Sequence, residues 1–161
     1  MTANRDTVVV NSESALSSDS LSLVELLTTE LAAKYGDDGG AKSFNPEDMA
    51  VEGTAFLVAR INDRAVGCGA IRRLRPGVAE IKRMFVVPER RGAGVARQIL
   101  RELESVATSL GYSVVRLETG LKQPEAIGLY ESAGYQRVPC YGQYVGNSMS
   151  VCFEKSLLSC L

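Results

Sequence analysis

Val86-Val87-Pro88-Glu89-Arg90-Arg91-Gly92-Ala93-Gly94-Val95-Ala96-Arg97 is the stretch around which the rest of the chain arranges itself. It joins an apolar run ending at Val87 to an amphipathic segment beginning near Gly94, through a turn carrying two arginines and two glycines. The first turn of a helix presents N–H groups without intrahelical acceptors and the positive end of the macrodipole, and glycine lets an anion approach that backbone. Phosphate is therefore the first ligand to consider. A P-loop would need a lysine and a hydroxyl after its second glycine, and neither follows here; a dinucleotide fingerprint would need Gly-x-Gly-x-x-Gly, whereas Gly92-x-Gly94 runs on to Arg97.

Downstream, Val95, Ile99, Leu103, Val106 and Leu110 share one helical face until Gly111 ends the run. Ser113–Glu118 then reads as a strand. A crossover helix between two strands makes them parallel, so the turn sits at the first corner of a βαβ unit. Upstream lies a meander: strands over Thr54–Arg60, Ala65–Arg73 and Val78–Val87, with turns at Asn62-Asp63 and Arg75-Pro76-Gly77. Earlier still, residues 1–6 are expected to be disordered and Thr7–Val10 to form a short strand. Ser22-x-x-Glu25 has the form of a capping box, and Val24, Leu27, Leu31 and Tyr35 recur at helical spacing before Gly36. Near the other end, Gln123-Pro124 opens a helix that Gly134 stops, and Tyr135–Val138 and Met149–Glu154 read as strands around a loop holding Tyr141 and Tyr144.

The 161 residues, 45% apolar, suit one domain spanning 1–161. With 18 basic and 19 acidic residues the net charge is −1, which gives no whole-surface attraction to nucleic acid or to an anionic membrane. No apolar run reaches the roughly 18 residues of a membrane span, and the polar start is no signal peptide, so a cytoplasmic protein is expected. Cys68, Cys140, Cys152 and Cys160 show no Cys-x-x-Cys spacing and histidine is absent, so free thiols and no metal site are expected. Without histidine, proton transfer falls to carboxylates, Tyr, Lys, Cys or water.

Three stretches, in order, resemble one family. Ala79–Pro88 is similar to the fourth strand of the GCN5-related N-acetyltransferases (GNAT), Arg91–Ala96 to their Arg/Gln-x-x-Gly-x-Gly/Ala loop, and Ala126-Ile127-Gly128-Leu129-Tyr130-Glu131-Ser132-Ala133-Gly134-Tyr135 to their Ala-Ile-x-Leu-Tyr-x-x-x-Gly-Phe/Tyr helix. The resemblance covers about residues 50–155 and implies an α/β GNAT fold. Its mixed central sheet would have about six to seven strands, splayed between the fourth and fifth and flanked by about four helices.

The resemblance implies acetyl-coenzyme A as cosubstrate, its pyrophosphate on Arg91, Gly92, Ala93, Gly94, Val95 and Ala96, and its pantetheine arm paired with Met84, Phe85 and Val86 like an added strand. An N–H near Val86 would hold the thioester oxygen as charge develops. Gln123 stands where many members carry an asparagine that contacts the coenzyme, and its longer side chain puts that contact in doubt. An alkyl amine with a pKa of about 10.4 must lose a proton before it attacks. Glu80 matches a position where several members carry a catalytic glutamate; Glu118 on the next strand is the substitute. Strand alternation places Glu80, Lys82 and Met84 on one side, so a Glu80–Lys82 ion pair competes with the base role. Tyr130 matches the general acid that protonates the departing thiolate.

Direct transfer to a small-molecule primary amine is the expected reaction. The acidic Asp37-Asp38 loop with Tyr141 and Tyr144 is a candidate to draw in a cationic amine, or else a solvated loop. A peptide or protein amine as acceptor, and an acyl-coenzyme A-binding module without turnover, are the alternatives. Many members dimerise through late strands, so a homodimer belongs to the implied properties.

Overall fold

Three consecutive valines favour extended backbone, and they lie in β1 (Val8–Ser12) of the computed structural model, which describes residues 7–158. The expectations for residues 1–6 and for Cys160 fall outside the described residues. Helix α1 (Ser18–Tyr35) begins before the Ser22-x-x-Glu25 signal. Ser17 is its cap, accepting the Ser20 N–H at 3.1 Å, while its own hydroxyl donates to the Glu13 carboxylate at 2.6 Å. Glu13 also pairs with Arg60 at 2.6 Å, so tertiary contacts choose among several nearby serines.

The hairpin turns obey local chemistry. Asn62 and Asp63 both take left-handed backbone (φ 50° and 64°), as a two-residue hairpin turn requires, and join β2 (Ala55–Ile61) to β3 (Arg64–Arg75). Pro76-Gly77 turns β3 into β4 (Val78–Val86). Helix α2 (Val95–Ser109) buries Val95, Ile99, Leu100, Leu103 and Ala107. Leu110, expected on that face, is 43% exposed, because the helix has ended and Gly111 (φ 92°) is already turning the chain. β5 (Val114–Gly120), α3 (Pro124–Ser132), β6 (Gln136–Val138) and β7 (Ser150–Ser156) complete the order, with short 3₁₀ turns in the loops, among them Ala41–Ser43 and Gly142–Tyr144.

The seven strands form one sheet in the order β1-β2-β3-β4-β5-β7-β6, antiparallel except for the parallel β4–β5 pair. Alternation along β2 sorts the core into two layers. Leu57, Ala59 and Ile61 pack with Ile99, Leu103 and Tyr130 under α2 and α3, while Phe56 and Val58 pack with Leu23 and Leu27 of α1.

Two departures from regular pairing shape the centre. β4 and β5 pair only from Val78↔Val114 to Ile81↔Leu117, so beyond Ile81 the two strands part. In the same region Cys68 faces Phe85 and Ala70 faces Lys82, which leaves Gly69 opposite both Arg83 and Met84. This is a β-bulge, and Arg83 carries its strain at φ 57°. Gly69 leaves room for this packing: a Cβ would meet Met84 Sδ and Leu103 at 2.8 Å and push those side chains aside.

The bulge overturns the expected alternation. Ile81, Met84 and Val86 pack on the α2 side, whereas Phe85 packs on the α1 side. One inserted residue reverses side-chain parity, so Met84 does not share a side with Glu80 and Lys82. The cysteine expectation is also corrected: Cys140 and Cys152 form a disulfide, with Cα atoms 5.2 Å apart, while Cys68 is free and buried. Neighbouring strands bring the pair together, and linear spacing carries no trace of that. No helix among the described residues is long and apolar enough to cross a membrane.

Candidate active site

The parting of β4 and β5 opens a cavity of about 1100 Å³ that passes through the sheet. Leu31 and Tyr35 of α1 wall one side and Ala126, Leu129 and Tyr130 of α3 the other. At one end lies the 91–96 turn. Gly92 and Gly94 have left-handed backbone (φ 81° and 83°), and a Cβ at either would meet nothing within 4 Å. Gly94 is the N-cap of α2 and supplies no side-chain cap, so the first-turn N–H groups face outward with the positive helix end.

Arg91, Gly92, Gly94, Val95 and Ala96 line the cavity; Ala93 does not. The Arg91 guanidinium is tied to the protein, donating from Nε to the Val86 carbonyl at 2.8 Å and pairing with Glu30 at 2.8 Å. It also lies over the Phe85 ring. Arg91 therefore braces the turn against β4 and α1 while it lines the cavity beside the backbone amides at the start of α2. Met84, Phe85 and Val86 line the middle of the cavity, on the part of β4 without a β5 partner. Gln123 lines it too, with its amide oxygen accepting the Tyr35 hydroxyl at 3.1 Å. Tyr35 in turn accepts the Lys122 N–H at 3.2 Å and seats against Gly120, where a Cβ would collide with the phenol.

The two carboxylates of the sequence argument part company. Glu80 is 1% exposed and lies outside the large cavity, beside a small one of about 130 Å³. Arg72 pairs with one oxygen at 2.8 Å and the Tyr141 hydroxyl donates to the other at 2.7 Å. The competing Glu80–Lys82 pair is not the contact that forms. Glu118 lines the large cavity and accepts the Ser150 hydroxyl at 2.6 Å. Burial raises its pKa, against the Ser150 hydrogen bond and the charge of Lys82, which lower it.

Tyr130 is 5% exposed and lines the same cavity, held edge-on to Tyr135 and tilted on Phe153, with ring centroids 5.7 and 5.9 Å away. Burial first, and the Glu118 charge second, push its phenol well above the ordinary value, so it is fully protonated at neutral pH.

Asp37 and Asp38 line the cavity but turn inward on their own loop. They accept the Gly39, Gly40 and Lys42 N–H groups at 2.8, 3.1 and 3.0 Å. Tyr144 lines the cavity, whereas Tyr141 is taken up by Glu80 and the Arg116 guanidinium. Sequence reasoning had no role for Tyr35, Arg83 or Ser150 in the site, and took Lys82 only as a partner for Glu80. Only the position of Tyr35 at the end of the first helical stripe offered a signal.

Known proteins share this architecture. Residues 21–135 match the model of the acetyltransferase (GNAT) family. An IAA acetyltransferase from Azospirillum brasilense is 34% identical over 151 residues, 93% of this chain and 98% of that protein. The crystal structure of a proposed acyl-CoA N-acyltransferase from Klebsiella pneumoniae superposes with a TM-score of 0.80 at 27% identity, covering 94% of this chain and 99% of that one. A GNAT family acetyltransferase from Elizabethkingia anophelis with acetyl-CoA bound shares the fold, with a TM-score of 0.68 at 16% identity and coverage of 94% and 99%.

Proposed function

This chain is a member of the GNAT family of acetyltransferases, and from that membership we propose that it moves an acetyl group from acetyl-CoA directly to the primary amine of a small molecule. One observation carries the reading: a single cavity joins an uncapped, glycine-flanked helix start, an unpaired strand edge, a carboxylate and a buried phenol. The residues suit the cosubstrate. Open space over Gly92 and Gly94 admits a pyrophosphate onto the α2 amides, and the edge of β4 at Met84, Phe85 and Val86 offers backbone groups to a pantetheine arm.

Acetyl-CoA supplies an acetyl group activated as a thioester. Around it, the N–H groups of the β4 edge near Val86 hold the thioester oxygen. Glu118, with its affinity for protons raised by burial, takes the amine proton. The amine nitrogen bonds to the acyl carbon, the carbon–sulfur bond breaks, Tyr130 donates its hydroxyl proton to the leaving sulfur, and the proton still in excess on the nitrogen passes to the phenolate. The two groups cooperate. Once Glu118 is neutralised, its charge no longer raises the phenol pKa, so Tyr130 becomes the stronger acid as the amine is deprotonated. Glu80, saturated by Arg72 and Tyr141, braces the strand in this scheme.

A small acceptor is favoured over a peptide because Ser43, Gln143, Tyr144 and Asn147 from two loops line the same cavity as Glu118. The test is thiol release from acetyl-CoA across small amines and peptides, with acetyl-CoA binding followed by calorimetry. Transfer to small amines supports the reading; binding without release to any acceptor favours the module without turnover, and release to peptides alone overturns the small-molecule assignment.

A further inference from the structure

Lys82 and Arg83 are consecutive in β4, and a regular strand would send their side chains to opposite faces. The bulge changes that. With Arg83 at φ 57°, both cations reach the same 39–43 segment: Arg83 donates from Nη1 to the Gly39 carbonyl at 3.0 Å, and Lys82 donates from Nζ to the Ser43 carbonyl at 3.0 Å. Lys82 also donates to the Tyr144 hydroxyl at 3.2 Å. Each residue is only 8% exposed, and both line the cavity that holds Glu118.

The acceptors of these two cations are neutral oxygens. Every ion pair among the described residues is made by some other basic side chain. The nearby carboxylates are committed elsewhere: Glu80 to Arg72 and Tyr141, Glu118 to Ser150, and Asp37 and Asp38 to the N–H groups of their own loop. Two buried positive charges with no carboxylate in ion-pair contact are costly, and strained backbone that gathers them points to a use. An ammonium has three N–H donors and a guanidinium five, more than the protein oxygens here consume.

We propose that Lys82 and Arg83 bind a carboxylate on the acceptor, so that the amine acetylated in this cavity belongs to an amino-carboxylate of amino-acid type. The inference rests on the acetyl-transfer reading above and names the acceptor within it. Lys82 and Glu118 each feel the other's charge. Because Lys82, Arg83 and Glu118 line one cavity, a molecule that carries both an amine and a carboxylate can offer the first to Glu118 and the second to Lys82. The chemical step is unaltered: a nitrogen–carbon bond forms, the carbon–sulfur bond breaks, Glu118 takes the amine proton and the thiol leaves with a proton from Tyr130. Burial lowers the Lys82 pKa to about 8, and a bound carboxylate would raise it again. A polyamine or an aminoglycoside would bring more positive charge to two cations.

The experiment measures thiol release with the proteinogenic amino acids, each beside its carboxamide and its decarboxylated amine. The carboxylate form is expected to have the higher kcat/KM, by about tenfold to a hundredfold, as for a hydrogen-bonded charge pair. Lys82→Met should raise KM for the carboxylate acceptor by a similar factor and shrink the gap between carboxylate and carboxamide, and Lys82→Arg should restore part of it. Calorimetric affinity for acetyl-CoA, unchanged within about threefold, shows that the variants are folded. Equal or better use of amines lacking a carboxylate, or an unchanged KM in Lys82→Met, overturns the inference, as does acetyl-CoA binding with no transfer to any amino acid. Absence of acetyl-CoA binding would instead remove the underlying reading of the site.

Discussion

Replacing Tyr130 by phenylalanine removes one hydroxyl and almost nothing else. The ring stays packed between Tyr135 and Phe153, and the position is 5% exposed, so no cavity opens. The expected stability change is under about 1 kcal/mol, which for a chain of this size moves Tm by roughly 2–4 °C at most. The chemical cost is much larger. Proton donation to the departing sulfur is a general-acid contribution of about a hundredfold or more, equivalent to about 2.7 kcal/mol in the barrier. Because the hydroxyl acts on the leaving group and not on ground-state binding, kcat should fall while KM for acetyl-CoA holds. Steady-state thiol release with a saturating acceptor, alongside a thermal melt, reads both quantities. A kcat within about threefold of the parent would refute the role, because a general acid typically contributes about a hundredfold or more.

Glu118→Gln should abolish the acidic limb of the kcat/KM profile. Burial raises the Glu118 pKa, and the carboxylate is the working form, so in the parent activity is lost as pH falls through a value above the ordinary glutamate range. Glu80→Gln is expected to act on stability instead, lowering it by about 2–4 kcal/mol through the Arg72 and Tyr141 contacts at a fully buried site; a collapse of kcat with an unchanged melt would return the base role to Glu80. Cys140→Ser opens a loop with a sequence separation of 12. Chain entropy puts the loss near 3 kcal/mol, or roughly 6–12 °C in Tm; a melt unchanged by both the substitution and a reducing agent would exclude the bond in solution.

The parts of the fold that local chemistry controls were open to sequence reasoning. Asn62-Asp63 and Pro76-Gly77 announce their hairpins, Gly36 and Gly111 end their helices, and the 86–97 stretch carries both the βαβ corner and the anion-binding turn. What escaped depends on pairing at a distance. Nothing in Ile81-Lys82-Arg83-Met84 signals a bulge; it follows from Gly69 on the neighbouring strand and from the packing of Met84 under α2. Glu80 and Glu118 both sit on central strands, and only the end of β4–β5 pairing after Ile81 decides which of them meets the cavity. Cys140 and Cys152 come together because β6 folds back on β7, a contact made by register. Arg91 reads as a phosphate ligand in one dimension, and in three it lines the cavity while also tied to Glu30 and the Val86 carbonyl.

Titration calorimetry with acetyl-CoA and, in parallel, with S-acetyl-pantetheine tests the central claim most directly, since the two ligands share the thioester and the arm and differ in the pyrophosphate-bearing nucleotide. If the amides at the start of α2 grip that pyrophosphate, acetyl-CoA should bind at least about a hundredfold more tightly, close to 3 kcal/mol, and the difference should shrink in Gly94→Val, where a side chain on left-handed backbone obstructs the turn. Equal affinities for the two ligands, or no detectable association with acetyl-CoA, would contradict the account.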